Sequence, residues 1–291
     1  MNKLSRFVKT IVTLVLSSSL LSCSQQPQEP KSLSEVLADQ PQTVKSRYKA
    51  RNPKETLEFF GIEPGMTVVD IYPGQGWYSK ILASYLGVNG KVIGADYPID
   101  IFPLFGFFPD DVIEARKSWT ETWPSKIENR WSNSDAKVDA FVLGSLPESM
   151  KESADAVVMF RALHNLVRFE SNGQFLTKSL TDIHSVLKNG GVLGIVQHKA
   201  SESASDQWAN GTKGYLKQSY VTDIVEQAGF ELIATSEVNI NPKDLPTESE
   251  AVWRLPPSLS GSKDNEELRK KYNAIGESSR MTLLFKKISK E

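Results

Sequence analysis

From about residue 66 onward the chain alternates short apolar runs with longer segments whose apolar residues recur at helical spacing. Met66–Tyr72 (M-T-V-V-D-I-Y) predicts a first strand, followed by a helix over Trp77–Leu86 and a second strand over Lys91–Asp96. A helix around Asp111–Trp123 and a weaker strand at Val138–Leu143 come next, and Ala154–Phe160 (A-D-A-V-V-M-F) predicts a fourth strand. Gln174–Leu187 is amphipathic and stops at Asn189-Gly190-Gly191, where glycine permits a turn with positive φ. Val192–Gln197 predicts a fifth strand, Tyr220–Ala228 a helix, Glu231–Glu237 a sixth strand and Met281–Ile288 a closing one. The alternation implies an α/β fold: a doubly wound, mostly parallel seven-stranded sheet with helices on both faces. With no long helix predicted between them, the last two strands imply an antiparallel edge. A short helix is expected near Leu33–Ala38.

The apolar stretch Thr10–Leu21 belongs to a different pattern. It is about 12 residues long, too short for a hydrocarbon core that needs roughly 20, and it follows Lys3, Arg6 and Lys9. That is the layout of an export signal. It ends in Leu20-Leu21-Ser22-Cys23, which resembles a bacterial lipobox, and Cys23 is the only cysteine of the chain. The resemblance implies lipidation of Cys23, with Ser24 pointing to a periplasm-facing outer-membrane location. A plain signal peptide with an incidental cysteine is the alternative. Residues 1–22 are thus assigned to the signal, the polar, proline-bearing 23–32 to a tether, and 33–291 to one folded domain with an insertion at about 239–279.

Charge narrows the partners. Lys and Arg total 34 against 35 Asp and Glu, and residues 1–22 hold three of the bases and no acid. The remainder is therefore mildly acidic, and no basic excess favours nucleic acid. One cysteine excludes an intrachain disulfide and a cysteine-built zinc site, and no metal-ligand spacing occurs elsewhere.

Candidate chemistry sits at the carboxyl ends of the strands, where open α/β sheets bind ligands. After the first strand comes Asp70-Ile71-Tyr72-Pro73-Gly74-Gln75-Gly76-Trp77. Gly74 and Gly76 allow a sharp turn and close approach of a ligand to the backbone, ahead of a helix N-terminus with unpaired N–H groups. Asp96, at the end of the second strand, is placed to accept hydrogen bonds from a ribose diol. A dinucleotide fingerprint would have a third glycine where Ser79 stands. A tight turn and an N-capping Asp would also account for these residues.

Asp70 ahead of the glycines resembles the acidic residue of the class I S-adenosylmethionine-dependent methyltransferases, with Tyr72 where the first glycine usually stands. Pro73–Tyr78, Phe160–Asn165, Asn241–Asp244, Val252–Pro257 and Ile275–Met281 together look like one bacterial family of predicted methyltransferases that often bear signal peptides. The resemblance covers roughly residues 45–287. It implies a Rossmann-like methyltransferase fold, S-adenosyl-L-methionine as cofactor, Asp70, Gly74 and Gly76 holding its methionine portion, and Asp96 its ribose. It also places Arg161, His164 and Asn165, just past the fourth strand, in the methyl-acceptor pocket, against a structural role as caps and loop contacts. The acceptor expected is a small molecule or lipid-like.

Trp253, Glu277 and Arg280 are expected either in a far wall of the site or as a packing tryptophan and a surface ion pair. His184 and His198 are expected to be structural. The loop Ile99–Pro109 holds four phenylalanines that could cover an adenine ring, meet a membrane, shield an apolar substrate or simply be buried. Beyond the inner membrane no supply of the cofactor is known, so an exported binding module that kept the fold without catalysis stays open. A nicotinamide-dependent oxidoreductase is a second alternative, against which Ser79 and Asp70 argue.

Overall fold

The computed structural model describes residues 30–130 and 136–289. Residues 1–22, Cys23 and most of the tether lie outside the described residues. Ser32 opens the helix Leu33–Asp39 with a capping box: its Oγ accepts from the Glu35 N–H, and its own N–H donates to the Glu35 carboxylate.

Seven strands form one sheet: β1 (Thr67–Ile71), β2 (Lys91–Asp96), β3 (Lys137–Val142), β4 (Ala154–Phe160), β5 (Leu187–His198), β6 (Phe230–Ser236) and β7 (Arg280–Lys287). Their spatial order is β3-β2-β1-β4-β5-β7-β6, and only β7 runs against the rest. The central strands β1, β2 and β4 are apolar on both faces because both faces are covered, whereas the edge strand β6 alternates buried and exposed residues. Val69, Ile71, Val157, Met159, Leu193 and Ile195 pack under the helices Leu163–Arg168, Phe175–Val186 and Gln218–Gln227. Their sequence neighbours Val68, Ala156, Val158 and Val196 pack under Leu33–Asp39, Pro53–Phe59, Trp77–Leu86 and Trp119–Arg130. The period-2 alternation of strand side chains produces this division.

Three expectations are corrected. The helix Phe175–Val186 stops without a glycine turn; Leu187 is already strand, and Gly190, with φ +76°, lies within β5. The segment after β2 is two helices, Asp110–Ala115 and Trp119–Arg130, joined by a 3-10 turn. Finally, the last two strands do form an antiparallel edge, with β7 lying between β5 and β6, but a ten-residue helix, Glu266–Ile275, stands between them in the chain. No helix among the described residues is long and apolar enough to cross a membrane.

Candidate active site

β1 lies between β2 and β4, so the connections leave it in opposite directions and open a crevice at its carboxyl end. Three residues with positive φ shape the turn there: Tyr72, Gly74 and Gly76. A side chain at Gly74 would meet no atom within 4 Å, so the turn faces open space, as a cradle for a ligand must. Gly76 precedes the helix Trp77–Leu86, whose N-terminus has no side-chain cap. Asp70 is buried, and Ser79, at the missing third glycine, donates its hydroxyl to the Asp70 carboxylate at 2.5 Å. Burial raises the Asp70 pKa to about 7, against the opposing effect of that hydrogen bond.

Asp96 ends β2 beside this turn, also buried. Its carboxylate is held by Arg116 at 2.5 Å, and the Arg116 guanidinium lies 4.6 Å from the centre of the Phe102 ring. Burial raises the Asp96 pKa, with Arg116 opposing. Tyr72 stacks on the fully buried Tyr97, centroids 4.2 Å apart, and the Tyr97 hydroxyl donates to the Ala162 carbonyl beyond β4. The open glycine turn and the two acidic strand ends fit a nucleoside cofactor with an amino-acid tail. The fit requires Arg116, whose side chain is 22% exposed, to yield the Asp96 carboxylate to a diol.

Beyond β4, Arg161 holds a positive φ of 57°, a conformation uncommon outside glycine and frequent at functional sites. His164 and Asn165 follow on the helix Leu163–Arg168, both buried. The Asn165 amide donates to the Tyr97 hydroxyl at 3.2 Å. His164 Nδ1 lies 3.3 Å from Gln197 Oε1, while Gln197 Nε2 donates to the Gly214 carbonyl. The Gln197 amide is therefore oriented with its oxygen toward His164, which places the proton on Nδ1 and leaves Nε2 with a lone pair. Burial, with help from Arg161, lowers the His164 pKa to about 4, so the ring is neutral near pH 7.

Arg161, His164 and Asn165 come together around a cavity of about 490 Å³ whose far side is built by late segments of the chain. Because β7 is antiparallel, His198 at the end of β5 pairs with Arg280 at the start of β7. Glu277 and Ser278 thus arrive at the same edge as the carboxyl ends of β4 and β5. Glu277 is buried and lines the cavity, so its ion pairs are not at the surface; Trp253 lines the cavity too and packs against the cluster of Ala200, Trp208, Tyr215 and Val252. Arg280 sits beneath, bonded to the Ser278 and Ala50 carbonyls. Phe105, Phe107 and Phe108 of the phenylalanine-rich loop form an apolar side, whereas Phe102 is buried behind them. His198 also lines the cavity, its Nδ1 2.6 Å from Ser278 Oγ, while His184 packs against Phe230 away from the cavity.

Sequence reasoning missed Arg47, Arg51, Arg168, Arg116, Tyr97 and Gln197. Arg47 and Arg51 come from short helical segments before β1 and meet Glu277, with the Arg47 Nε donating at 2.7 Å. No spacing signal could have joined them to a residue that lies 230 positions after Arg47. Among the described residues, no three His, Cys, Asp or Glu side chains gather as a metal site.

No protein-family model matches the chain, and no curated protein sequence matches it. Among solved structures it is similar to the [4+2]-cyclase SpnF, with 16% identity over 83% of this chain and 81% of that one and a TM-score of 0.51. It is also similar to a SAM-dependent methyltransferase from Aquifex aeolicus, with 22% identity over 72% and 94% of the two chains and a TM-score of 0.48. An arsenic(III) S-adenosylmethionine methyltransferase from Chlamydomonas reinhardtii shares 14% identity over 90% and 75%, with a TM-score of 0.46. The sheet order and the reversed β7 are those of the Rossmann-like methyltransferase fold.

Proposed function

We propose that the chain is an S-adenosyl-L-methionine-dependent methyltransferase, akin to the signal-peptide-bearing predicted methyltransferases, anchored in the cell envelope through a lipid on Cys23. The carrying observation is an open glycine turn flanked by two buried acidic strand ends, whose Tyr72 lines a cavity holding a neutral imidazole; Asp70, Gly74, Gly76 and Asp96 do not themselves line it. When bound, the cofactor supplies a methyl group activated by its sulfonium. Asp70, Gly74, Gly76 and the helix N-terminus would hold its methionine portion, and Asp96 its ribose once Arg116 turns aside. Arg161, His164 and Asn165 bind and orient a small-molecule or lipid-like acceptor. His164 Nε2 takes the proton of an acceptor O–H or N–H, and Gln197 keeps the other ring nitrogen protonated. The wall made by Trp253 and the phenylalanines excludes water, and alignment of the two reactants supplies ~7–11 kcal/mol.

The second reading is a binding module that kept the fold without catalysis; Arg116 must leave Asp96 in either case. Calorimetry with S-adenosylhomocysteine separates the two. Asp96→Ala should weaken binding about 10- to 100-fold, and Gly74→Val more. His164→Ala and Asn165→Ala should stay within about threefold of the parent affinity. Their turnover, read as S-adenosylhomocysteine release in cell-envelope extract, should fall about 100-fold or more. Unchanged affinity in both Asp96→Ala and Gly74→Val, with the fold intact, overturns the cofactor site. Tight binding without turnover in the parent favours the binding module.

A further inference from the structure

We infer that the cavity is a binding site for an amphiphile with an anionic oxygen head, a carboxylate or a phosphate monoester on an apolar body. The inference names the acceptor class for the function proposed above. It rests on that reading only for the ligand's fate; binding stands on the cavity alone.

Charge is the first ground. Glu277 Oε1 is shared by Arg47 and Arg51, and Oε2 by Arg161 and Arg280, each of the latter at 3.4 Å. Arg168, on the same cavity, stacks on Phe169 and forms no ion pair among the described residues. Four guanidiniums therefore gather around one carboxylate, and a fifth, Arg168, lines the same cavity. Asp244, which accepts from the Ser279 N–H close by in the chain, is already taken by Arg254 at 2.8 Å. His164 and His198 are neutral and add no compensation, since burial lowers both pKa values.

The second ground is an unmet donor. Arg51 lines the cavity at 7% exposure, and its Nε has no hydrogen-bond partner, the Glu277 oxygen being 3.7 Å away. Burial and the neighbouring Arg161 lower its pKa to about 9, with Glu277 opposing. A guanidinium left in that state costs free energy until an oxygen anion accepts from it, and guanidiniums match carboxylate and phosphate oxygens in geometry.

The third ground is the apolar part of the lining. Phe105, Phe107, Phe108, Trp253, Leu255 and Pro256 line the same cavity as the arginines and offer no charge. Phe107 is 69% exposed, an apolar ring left at the surface beside the cavity. A small inorganic anion would leave that apolar lining wet, and a neutral lipid would leave the arginines unpaired. Only a molecule with both ends satisfies both parts of the lining.

The test is calorimetry on the full chain with decanoate, decyl phosphate and decanol, S-adenosylmethionine being omitted. At least one of the two anions should bind tenfold or more tightly than decanol, and the tighter of them identifies the head. Arg161→Gln and Arg168→Gln should each weaken that anion at least tenfold. Should Arg161→Gln fail to fold, Arg168→Gln carries the test, because that side chain is only partly buried against Phe169. Decanol binding as tightly as both anions, or affinity unaffected by Arg168→Gln, overturns the inference. Homocysteine-cofactor binding without anion preference overturns this inference alone. Anion preference without any S-adenosylhomocysteine binding overturns the proposed function alone.

Discussion

Asp70 is a carboxyl group whose folded pKa of about 7 lies far above the ordinary value of 3.8. Between those values the folded chain binds a proton that the unfolded chain has released, so this group makes stability fall as pH rises from about 4 to about 7. His164 acts in the other direction. Its folded pKa of about 4 lies below 6.5, so the unfolded chain binds the proton and stability rises over that window; His198 adds to the rise. The parent's pH profile therefore mixes opposed contributions, and a substitution is needed to separate them. Asp70→Asn, which keeps an acceptor for Ser79, should match the parent near pH 4 and become progressively more stable than it up to about pH 7. The gap should then stay constant and reach at most about 4 kcal/mol, the equivalent of a three-unit shift. Urea unfolding of both proteins from pH 4 to pH 8 checks this; a gap that closes with rising pH would refute it.

At the scale of elements, the short helix Leu163–Arg168 decides where His164 and Asn165 point, and a loop after β5 holds it. Gly211 lies against that helix so closely that a Cβ would come 2.3 Å from the His164 carbonyl oxygen, and its φ is +88°. Gly211→Ala should cost roughly 2–4 kcal/mol, combining backbone strain with overpacking. Thermal melts should show that loss, and turnover should fall more than S-adenosylhomocysteine affinity because the displaced group is His164. Nothing in the chain announces this contact, since residues 203–217 have no periodicity. The strands, by contrast, were legible in the sequence: the central ones are buried on both faces and appear as apolar runs, and all seven were found, with β5 starting five residues earlier than expected. The helix Glu266–Ile275 was not, because it buries no residue and so carries no apolar stripe. The glycine turn, Asp70 and Asp96 were legible because they are local to strand ends. The arginine cluster was not, because its members come from before β1, from the turn and helix after β4 and from the start of β7.

Over the whole molecule, one sheet brings early and late segments to a single edge, while the proposed anchor lies ahead of all of them at Cys23. If Cys23 carries the lipid, Cys23→Ser should accumulate as an unprocessed precursor and incorporate no labelled fatty acid. Normal processing and labelling of the variant would remove the anchor from the account. The shared carboxylate of Glu277 has a consequence for how the protein is made. Its partners Arg47 and Arg51 are synthesised early, but Glu277 stands 230 residues after Arg47 and directly before the last strand. β7 then inserts between β5 and β6, so neither the sheet nor the cavity is complete until that strand has left the ribosome. Synthesis at about 5–20 residues per second separates the two ends of the ion-pair cluster by roughly ten seconds or more. During that interval the arginines lack their counter-charge and the nascent chain has no finished ligand site, so a chain shortened by its last dozen residues should be both unstable and inert.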